Sequence, residues 1–189
     1  MTPAETLAAQ ERALAGCQRC KLAAGRHTIV FGSGSAQADF MCIGEGPGAD
    51  EDAQGLPFVG RAGQLLTKML EAIRLTRDEV YITNVVMCRP PGNRNPEGDE
   101  IAECMPFLRA KLAVIRPKVI LTLGGVATQA LLQTKEPIGK LRGRVHQFGE
   151  AVVVPTFHPA FLLRSPDAKK PAFEDLKLAR REYDARRSP

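Results

Sequence analysis

Four short apolar segments, each followed by a stretch with helical character, constrain the fold of this chain more than any other feature. The segments are residues 39–44, 80–86, 118–123 and 151–156. Short apolar runs that alternate with helices favour a parallel sheet covered by helices on both faces. The sequence therefore predicts an α/β fold of three layers, α/β/α, with a central, mostly parallel, four-stranded sheet.

The helices are recognised by their periodicity and by signals at their ends. Residues 61–74 carry one apolar face, made by Leu65, Leu66, Met69, Leu70 and Ile73. The first helix begins with the capping box Thr2-Pro3-Ala4-Glu5 and is predicted to end at Gly16. The predicted helices span residues 2–16, 61–74, 99–115, 126–133 and 167–186. A chain of 189 residues suits one sizeable core, so we expect a single domain over residues 1–189.

The composition bears on the compartment and on the class of partner. The chain has 26 Lys and Arg against 21 Asp and Glu, a net charge of +5. This mild excess permits a polyanionic partner without requiring one. No apolar stretch reaches membrane-spanning length, and Glu5 and Glu11 stand where a signal peptide would have a basic start and an apolar centre. We expect a soluble, cytoplasmic monomer, in which structural disulfides are disfavoured.

Four of the five cysteines have a spacing that suits a metal centre. Cys17 and Cys20 form a CxxC pair, whereas Cys88 and Cys104 are separated by fifteen residues. Structural zinc sites commonly use two tight CxxC pairs, and an open second pair is typical of a larger cluster held by four thiolates. Zinc and unrelated buried thiols remain alternatives. Cys42, inside the first apolar segment, is interpreted as a core residue.

The loop after the first strand combines many glycines with many carboxylates. It reads GEGPGADEDAQGLPFVG over residues 44–60. Such an acidic loop would repel phosphate, and no GxxxxGK[ST] pattern occurs, so a phosphate-loop enzyme is excluded. In open parallel sheets, ligands bind at the carboxyl ends of the strands. The loops that follow the strands near residues 43, 86 and 156 are therefore expected to converge on one site.

Three ordered motifs and the cysteines resemble a known family. The motifs GEGPGADEDAQGLPFVGRAGQLL, TNVVMCRPPGNRNP and HPAFLLR closely resemble those of family 4 uracil-DNA glycosylases, the iron–sulfur class of bacteria and archaea. The resemblance runs from about residue 17 to residue 175. It implies excision of uracil from DNA, which leaves an abasic site and initiates base excision repair. It also implies a structural 4Fe–4S cluster that ties residues 1–36 to the body, with the ligands Cys17, Cys20, Cys88 and Cys104.

The resemblance implies catalytic roles for Glu45 and His158. Breaking the N-glycosidic bond leaves positive charge on the sugar and negative charge on the base, and a carboxylate beside the sugar stabilises the former. Glu45 is expected in that role, where it can also orient or deprotonate the attacking water. His158 is expected to donate a hydrogen bond to uracil O2, and either of its protonation states could do so. A purely structural histidine is the alternative.

The implied substrate-binding residues are Gly44, Gly46, Glu51, Phe58 and Asn84. The two glycines would let the backbone approach the nucleotide, and Glu51 matches a polar position near the site. Phe58 would stack on the base, or alternatively anchor the loop in the core. The amide of Asn84 matches the O4 and N3–H edge of uracil, or alternatively forms a hydrogen bond at the strand end. The other acids of the loop, Asp50 and Asp52, are interpreted as a solvated turn.

The remaining predictions concern the DNA. A stacked uracil must be flipped out and the gap filled. Leu162 and Leu163 would form the wedge and Arg164 would contact phosphate, although a short helix that packs the leucines inside is an equal alternative. Arg142 and Arg144, in the loop KLRGR, are also predicted to contact phosphates. The expected partner is uracil-containing DNA, single- or double-stranded.

Two rival functions differ in what they require. A non-catalytic iron–sulfur module that binds DNA would keep the cysteines and the basic surface but would not need Glu45, Asn84 and His158 together. A glycosylase for a broader set of deaminated bases usually lacks a carboxylate at the Glu45 position. The joint presence of the three residues favours uracil excision.

Overall fold

The computed structural model describes all residues from Met1 to Pro189. Its strands are β1 (Ser33–Gly34), β2 (Phe40–Gly44), β3 (Tyr81–Asn84), β4 (Val119–Leu123), β5 (His146–Phe148) and β6 (Ala151–Thr156). Its α-helices are α1 (Pro3–Ala13), α2 (Ala49–Gln54), α3 (Arg61–Ala72), α4 (Gly98–Ile115), α5 (Gly125–Leu132), α6 (Ile138–Leu141), α7 (Pro159–Arg164) and α8 (Lys169–Arg186). Short 3-10 helices occupy Lys21–Ala24, Pro91–Asn93 and Pro166–Ala168.

The strands form one mixed sheet in the order β1-β3-β2-β4-β6-β5. β2 pairs in parallel with β3 and β4, and β4 pairs in parallel with β6. The α/β class and the parallel centre are confirmed, whereas the prediction of four strands is wrong, because β1 and β5 add antiparallel edges. These edges are two and three residues long, too short to show any periodicity in the sequence.

Side chains of the central strands point alternately into two apolar layers. Met41 and Ile43 belong to a cluster that contains residues of α1, α4 and α5. Phe40 and Cys42 belong to a second cluster that contains residues of α3 and α8. The sheet is therefore covered on both faces, and Cys42 is a core residue whose burial raises the pKa of its thiol to about 12.

The long helices lie close to their predicted bounds. α1 ends at Ala13, three residues earlier than predicted, and a turn with Gly16 at a φ of 73° follows. α2 and α6 were not predicted, and α7 was predicted only as an alternative, because helices of four to six residues are too short for a 3.6-residue pattern. None of the helices has both the length and the apolar composition needed to cross a bilayer.

Candidate active site

A cleft of about 460 Å³ lies at the carboxyl ends of the parallel strands. Its wall includes Glu45, directly after β2, Asn84, the last residue of β3, and His158, between β6 and α7. Phe58, in the loop before α3, forms another part of the wall. The parallel topology brings these side chains together, although up to 113 positions separate them in the sequence (158 − 45). The cleft is large enough for a flipped nucleobase.

Glu45 is half-buried at the end of β2, and this burial raises the pKa of its carboxyl. Its main chain is held in place because the carbonyl of Glu45 accepts from the Val86 N–H at 3.1 Å. A Cβ on the preceding Gly44 would lie 2.5 Å from both Asn84 Oδ1 and Phe58 Cζ. Gly44 therefore permits close packing of two side chains of the cleft against the β2 backbone.

Asn84 is only 2% exposed, and its Oδ1 has no hydrogen-bond partner within the protein. A buried polar atom without a partner costs about 1–3 kcal/mol. Such an atom is explained when a ligand supplies the missing donor. Asn84 therefore offers, beside the cleft, a buried acceptor that the protein itself leaves unpaired.

The structure assigns a protonation state and a tautomer to His158. The Nδ1 atom of His158 accepts from the Ala160 N–H at 3.0 Å, so the ring is the N-cap of α7. Burial, reinforced by the positive charge of Arg164, lowers the pKa of His158 to about 4, while the carboxylate of Glu51 opposes that shift. The imidazole is therefore neutral at physiological pH, with its proton on Nε2.

Phe58 lies between the cleft and the core. Its ring packs in the same apolar cluster as Leu66, and its centroid is 5.7 Å from that of the His158 ring, at an interplanar angle of 31°. Phe58 therefore belongs to the core and to the wall of the cleft at the same time. Phe58 also has a φ of 52°, a region that residues with a Cβ rarely adopt.

Of the three acids at residues 50–52, two form hydrogen bonds inside the fold and one is exposed to solvent, which differs from the prediction. The Glu51 carboxylate accepts from the backbone N–H groups of Gly48 at 3.0 Å and of Val59 and Gly60 at 2.8 Å, so it holds the loop together. Asp50 is exposed, as predicted. The solvated turn is wrong for Asp52, which is 1% exposed. Its Oδ1 accepts from the N–H groups of His27 and Thr28, because α2 turns one acid outward and the other inward.

Comparisons of the sequence with known proteins identify its relatives. A sequence model described as the uracil DNA glycosylase superfamily matches residues 31–178. A type-4 uracil-DNA glycosylase of Saccharolobus solfataricus is 45% identical over 170 residues, which cover 85% of this chain and 79% of the relative. One from Thermotoga maritima is 43% identical over 168 residues, covering 87% and 88%.

The chain belongs to the uracil DNA glycosylase superfamily. The match of the superfamily model includes Glu45, Phe58, Asn84 and His158, but it begins after the CxxC pair. A type-4 uracil-DNA glycosylase of Sulfurisphaera tokodaii is 44% identical over 173 residues, which cover 87% of this chain. The predicted resemblance to this family is confirmed.

In this superfamily member, the predicted DNA-contacting residues occupy very different environments. Leu162 lies on the side of α7 that faces the core and is only 1% exposed, so the alternative of a short helix that packs this leucine inside is confirmed. Leu163, on the same helix, is 36% exposed. Arg142 donates two hydrogen bonds to the buried carboxylate of Asp175, at 2.8 and 2.9 Å, which engages its guanidinium inside the fold. Arg144 is exposed and lies 3.7 Å from Glu136.

The rim of the cleft carries positive charge, from Arg164, which was predicted, and from Arg61, which was not. Arg61 and Arg164 line the cleft, and Arg61 is the first residue of α3. Arg94 also lines it, but its guanidinium forms a bidentate pair, 2.8 Å at each oxygen, with the buried Glu100. This pairing lowers the pKa of Glu100 to about 2. Among these three cations, Arg61 and Arg164 remain available to a phosphate.

The four predicted metal ligands line one mainly apolar cavity between the N-terminal segment, the loop before α4 and α4 itself. They are Cys17, Cys20, Cys88 and Cys104. No three of them form a group compact enough to hold a single metal ion. Burial raises the pKa of Cys88, and that of Cys104 to about 11. Arg26 approaches Cys88 Sγ at 3.7 Å, so a cation stands beside this donor set.

Proposed function

We propose that this protein is a type-4 uracil-DNA glycosylase, which flips uracil out of DNA and hydrolyses its N-glycosidic bond to leave an abasic site. The observation that carries the proposal is the meeting of Glu45, Asn84 and His158 at one cleft. A carboxylate, an amide and a neutral imidazole are what this reaction requires: one stabilises the sugar cation, one reads the base, and one stabilises the departing base.

Recognition of uracil follows from the unpaired amide oxygen of Asn84. Asn84 Oδ1 accepts the N3–H of uracil and Nδ2 donates to O4, which relieves the unsatisfied buried oxygen. Cytosine presents an acceptor at N3 and a donor at position 4, so both contacts would be lost. The Phe58 ring stacks on the base, a contact worth about 1–3 kcal/mol. Uracil is thereby bound selectively before any bond is broken.

Bond cleavage follows from opposite charges on the two halves of the nucleotide. The His158 Nε2–H donates to O2 of the base, where negative charge accumulates as the bond lengthens. The ionised Glu45 faces the sugar, where positive charge accumulates, and orients the attacking water. A neutral histidine serves this role because its Nδ1 is already occupied by the Ala160 N–H, which aims the Nε2–H into the cleft.

DNA contact is assigned to exposed residues, two of which, Arg61 and Arg164, line the cleft. The exposed Leu163 is the wedge that fills the gap left by the flipped base, and Arg164 beside it contacts a phosphate. Arg61 and Arg144 supply further phosphate contacts. Arg142, which was also predicted to contact phosphate, instead stabilises the fold through its ion pair with Asp175.

The cofactor of the proposal is a 4Fe–4S cluster held by Cys17, Cys20, Cys88 and Cys104. Four thiols around one apolar cavity fit this group, and thiolates are its usual ligands. When bound, the cluster would supply a structural cross-link between the N-terminal segment, the loop that connects β3 to α4, and α4 itself, which carries Cys104. No step of the reaction involves it.

The proposed function is tested by incubating the purified protein with uracil-bearing oligonucleotides, followed by alkaline cleavage of abasic sites. Matched oligonucleotides with thymine or cytosine at the same position are the controls. Strand cleavage at uracil alone is expected. Binding of DNA without cleavage would favour the non-catalytic module, and cleavage at other deaminated bases with equal efficiency would favour the broader glycosylase.

Asn84→Asp should lower kcat/KM on uracil by about 10²-fold, because a carboxylate cannot donate to O4 and places a buried charge against the base. The measurement is kcat/KM on single-stranded uracil substrate. Asn95→Asp is the matched control, since Asn95 lines the same cleft but is exposed. Equal kcat/KM values for both variants would contradict the proposal that Asn84 recognises uracil.

Cys88→Ala should remove most of the bound iron and the brown visible absorbance, and it should lower the melting temperature by roughly 2–4 °C for each kcal/mol of lost stability. Iron content, absorbance and thermal melting are measured. Cys42→Ala is the control, because this cysteine is buried in the sheet and does not line the cavity. A colourless wild-type protein that contains zinc would refute the cluster.

A further inference from the structure

The backbone of Phe58 is held in a conformation that its own residue type disfavours. Its φ is 52°, and non-glycine residues in this left-handed region cost free energy that the surrounding structure must supply. Unfavourable conformations of this kind persist only when neighbouring contacts determine them. The contacts on either side of Phe58 therefore decide where its ring lies.

Two charged side chains hold the peptide groups that flank Phe58. On the C-terminal side, Glu51 Oε2 accepts from the N–H groups of Val59 and Gly60, both at 2.8 Å. On the N-terminal side, Arg77 Nη2 donates to the carbonyl of Pro57 at 2.8 Å. The turn is thus fixed from both ends.

Arg77 also connects this turn to the first part of α3. Its Nη1 lies 3.5 Å from the Gly63 carbonyl and 3.4 Å from Thr67 Oγ1. A Cβ at Gly63 would collide with the backbone of Phe58, so the helix and the turn are in direct contact. Arg77 is half-buried and does not line the cleft. Any effect of this side chain on the substrate must therefore pass through the turn.

We propose that Arg77 is a positioning residue that holds the Phe58 ring as the stacking platform for uracil, acting opposite Glu51. The inference rests on the proposed function, because it assumes that Phe58 stacks on the flipped base. It adds a residue outside the cleft to the set that determines uracil affinity. Loss of the Pro57 contact releases the strained turn and lets the ring move away from the base.

The test uses Arg77→Met, which keeps the length of the side chain and removes its donors. The inhibition constant of free uracil should rise roughly tenfold, and kcat/KM should fall by a similar factor, as expected when a base loses most of its stacking. Arg77→Lys, which retains one donor, should lie between Arg77→Met and the wild type.

Arg180→Met is the matched control. Arg180 belongs to α8 and contacts the C-terminal end of α3, whereas Arg77 contacts the first part of that helix. Arg180 Nη1 donates to the backbone carbonyl of Ile73 at 2.8 Å, the same chemistry at a site remote from the cleft. Both methionine variants should lower the melting temperature, but only Arg77→Met should weaken uracil binding. Equal uracil inhibition constants for the two methionine variants, or for Arg77→Lys and Arg77→Met, would overturn the inference.

A double-mutant cycle separates positioning from general destabilisation. If Arg77 acts through the ring, Arg77→Met should have little further effect on kcat/KM in a Phe58→Ala background. Full additivity would overturn the inference. A wild-type protein that neither excises nor binds uracil would instead refute the proposed function, so the two failures are distinguishable.

Discussion

Glu45→Gln should lower the rate of uracil excision by about 10²–10⁴-fold while the affinity for uracil-containing DNA stays within a few fold. Glutamine keeps the shape of the side chain and removes the negative charge that faces the developing sugar cation. It also removes the group that orients and accepts a proton from water. The rate is measured under single-turnover conditions with excess enzyme, and binding is measured by fluorescence anisotropy.

The pH dependence gives the Glu45 prediction a second readout. Burial raises the pKa of Glu45 above its ordinary 4.5, so the wild-type rate should fall as the pH decreases through that raised pKa. The reason is that the protonated carboxyl no longer stabilises the cation. This acid limb should be absent from the residual activity of Glu45→Gln.

Asp50→Asn is the matched control for Glu45→Gln. Asp50 lines the same cleft and is exposed, so its substitution removes the same charge from the same region without touching the proposed reaction. Its single-turnover rate should stay close to that of the wild type. Undiminished excision by Glu45→Gln, or an equal loss in the control, would remove Glu45 from the mechanism.

His158→Asn should lower the rate of excision by about 10²–10³-fold, the usual effect of removing one donor to a developing oxyanion. Asparagine is a good N-cap, so the substitution preserves the cap of α7 and loses the Nε2–H that faces the base. The melting temperature should therefore change little. His158→Ala should lose both functions, with an additional loss of about 1 kcal/mol in unfolding free energy.

His146→Asn is the control for the histidine prediction. His146 lies on the edge strand β5, where its Nε2 contacts the Leu141 carbonyl at 2.8 Å, away from the cleft. Its substitution should leave the single-turnover rate unchanged. Because the pKa of His158 is about 4, this histidine should contribute no titration to the rate between pH 6 and pH 8. A wild-type excision rate in His158→Asn would contradict the proposal that His158 stabilises the negative charge on the departing base.

Much of the fold was predictable because the central strands are buried on both faces. A strand such as Val119–Leu123 is a continuous apolar run in the sequence, and the chain alternates such runs with longer helical segments. The edge strands and the helices of four to six residues gave no comparable signal. Their formation depends on pairing with β3 and β6 or on packing against neighbours, which local periodicity does not record.

The residues of the candidate site were predicted from the resemblance to a known family, and the topology of the sheet explains why they meet. Glu45 and His158 follow predicted parallel strands, whereas Asn84 was predicted inside one that the structure ends at this residue. Parallel strands present their carboxyl ends on one edge, which brings the three side chains together. Leu162 and Arg142 were harder to interpret, because an apolar or basic residue near a site has the same composition whether it faces DNA or the core. Their burial and the Asp175 partner decided the matter.

The order and type of the residues were enough to establish the α/β class, the family and the side chains that meet in the cleft, since these follow from patterns along the chain. The burial of Asp52 and the contact of Arg77 with the Phe58 turn came from tertiary contacts alone, and the tautomer of His158 came from a local hydrogen bond to the Ala160 N–H that only the structure shows. Each depends on a hydrogen-bond partner and on the loss of water around it, and neither is encoded in the local sequence pattern.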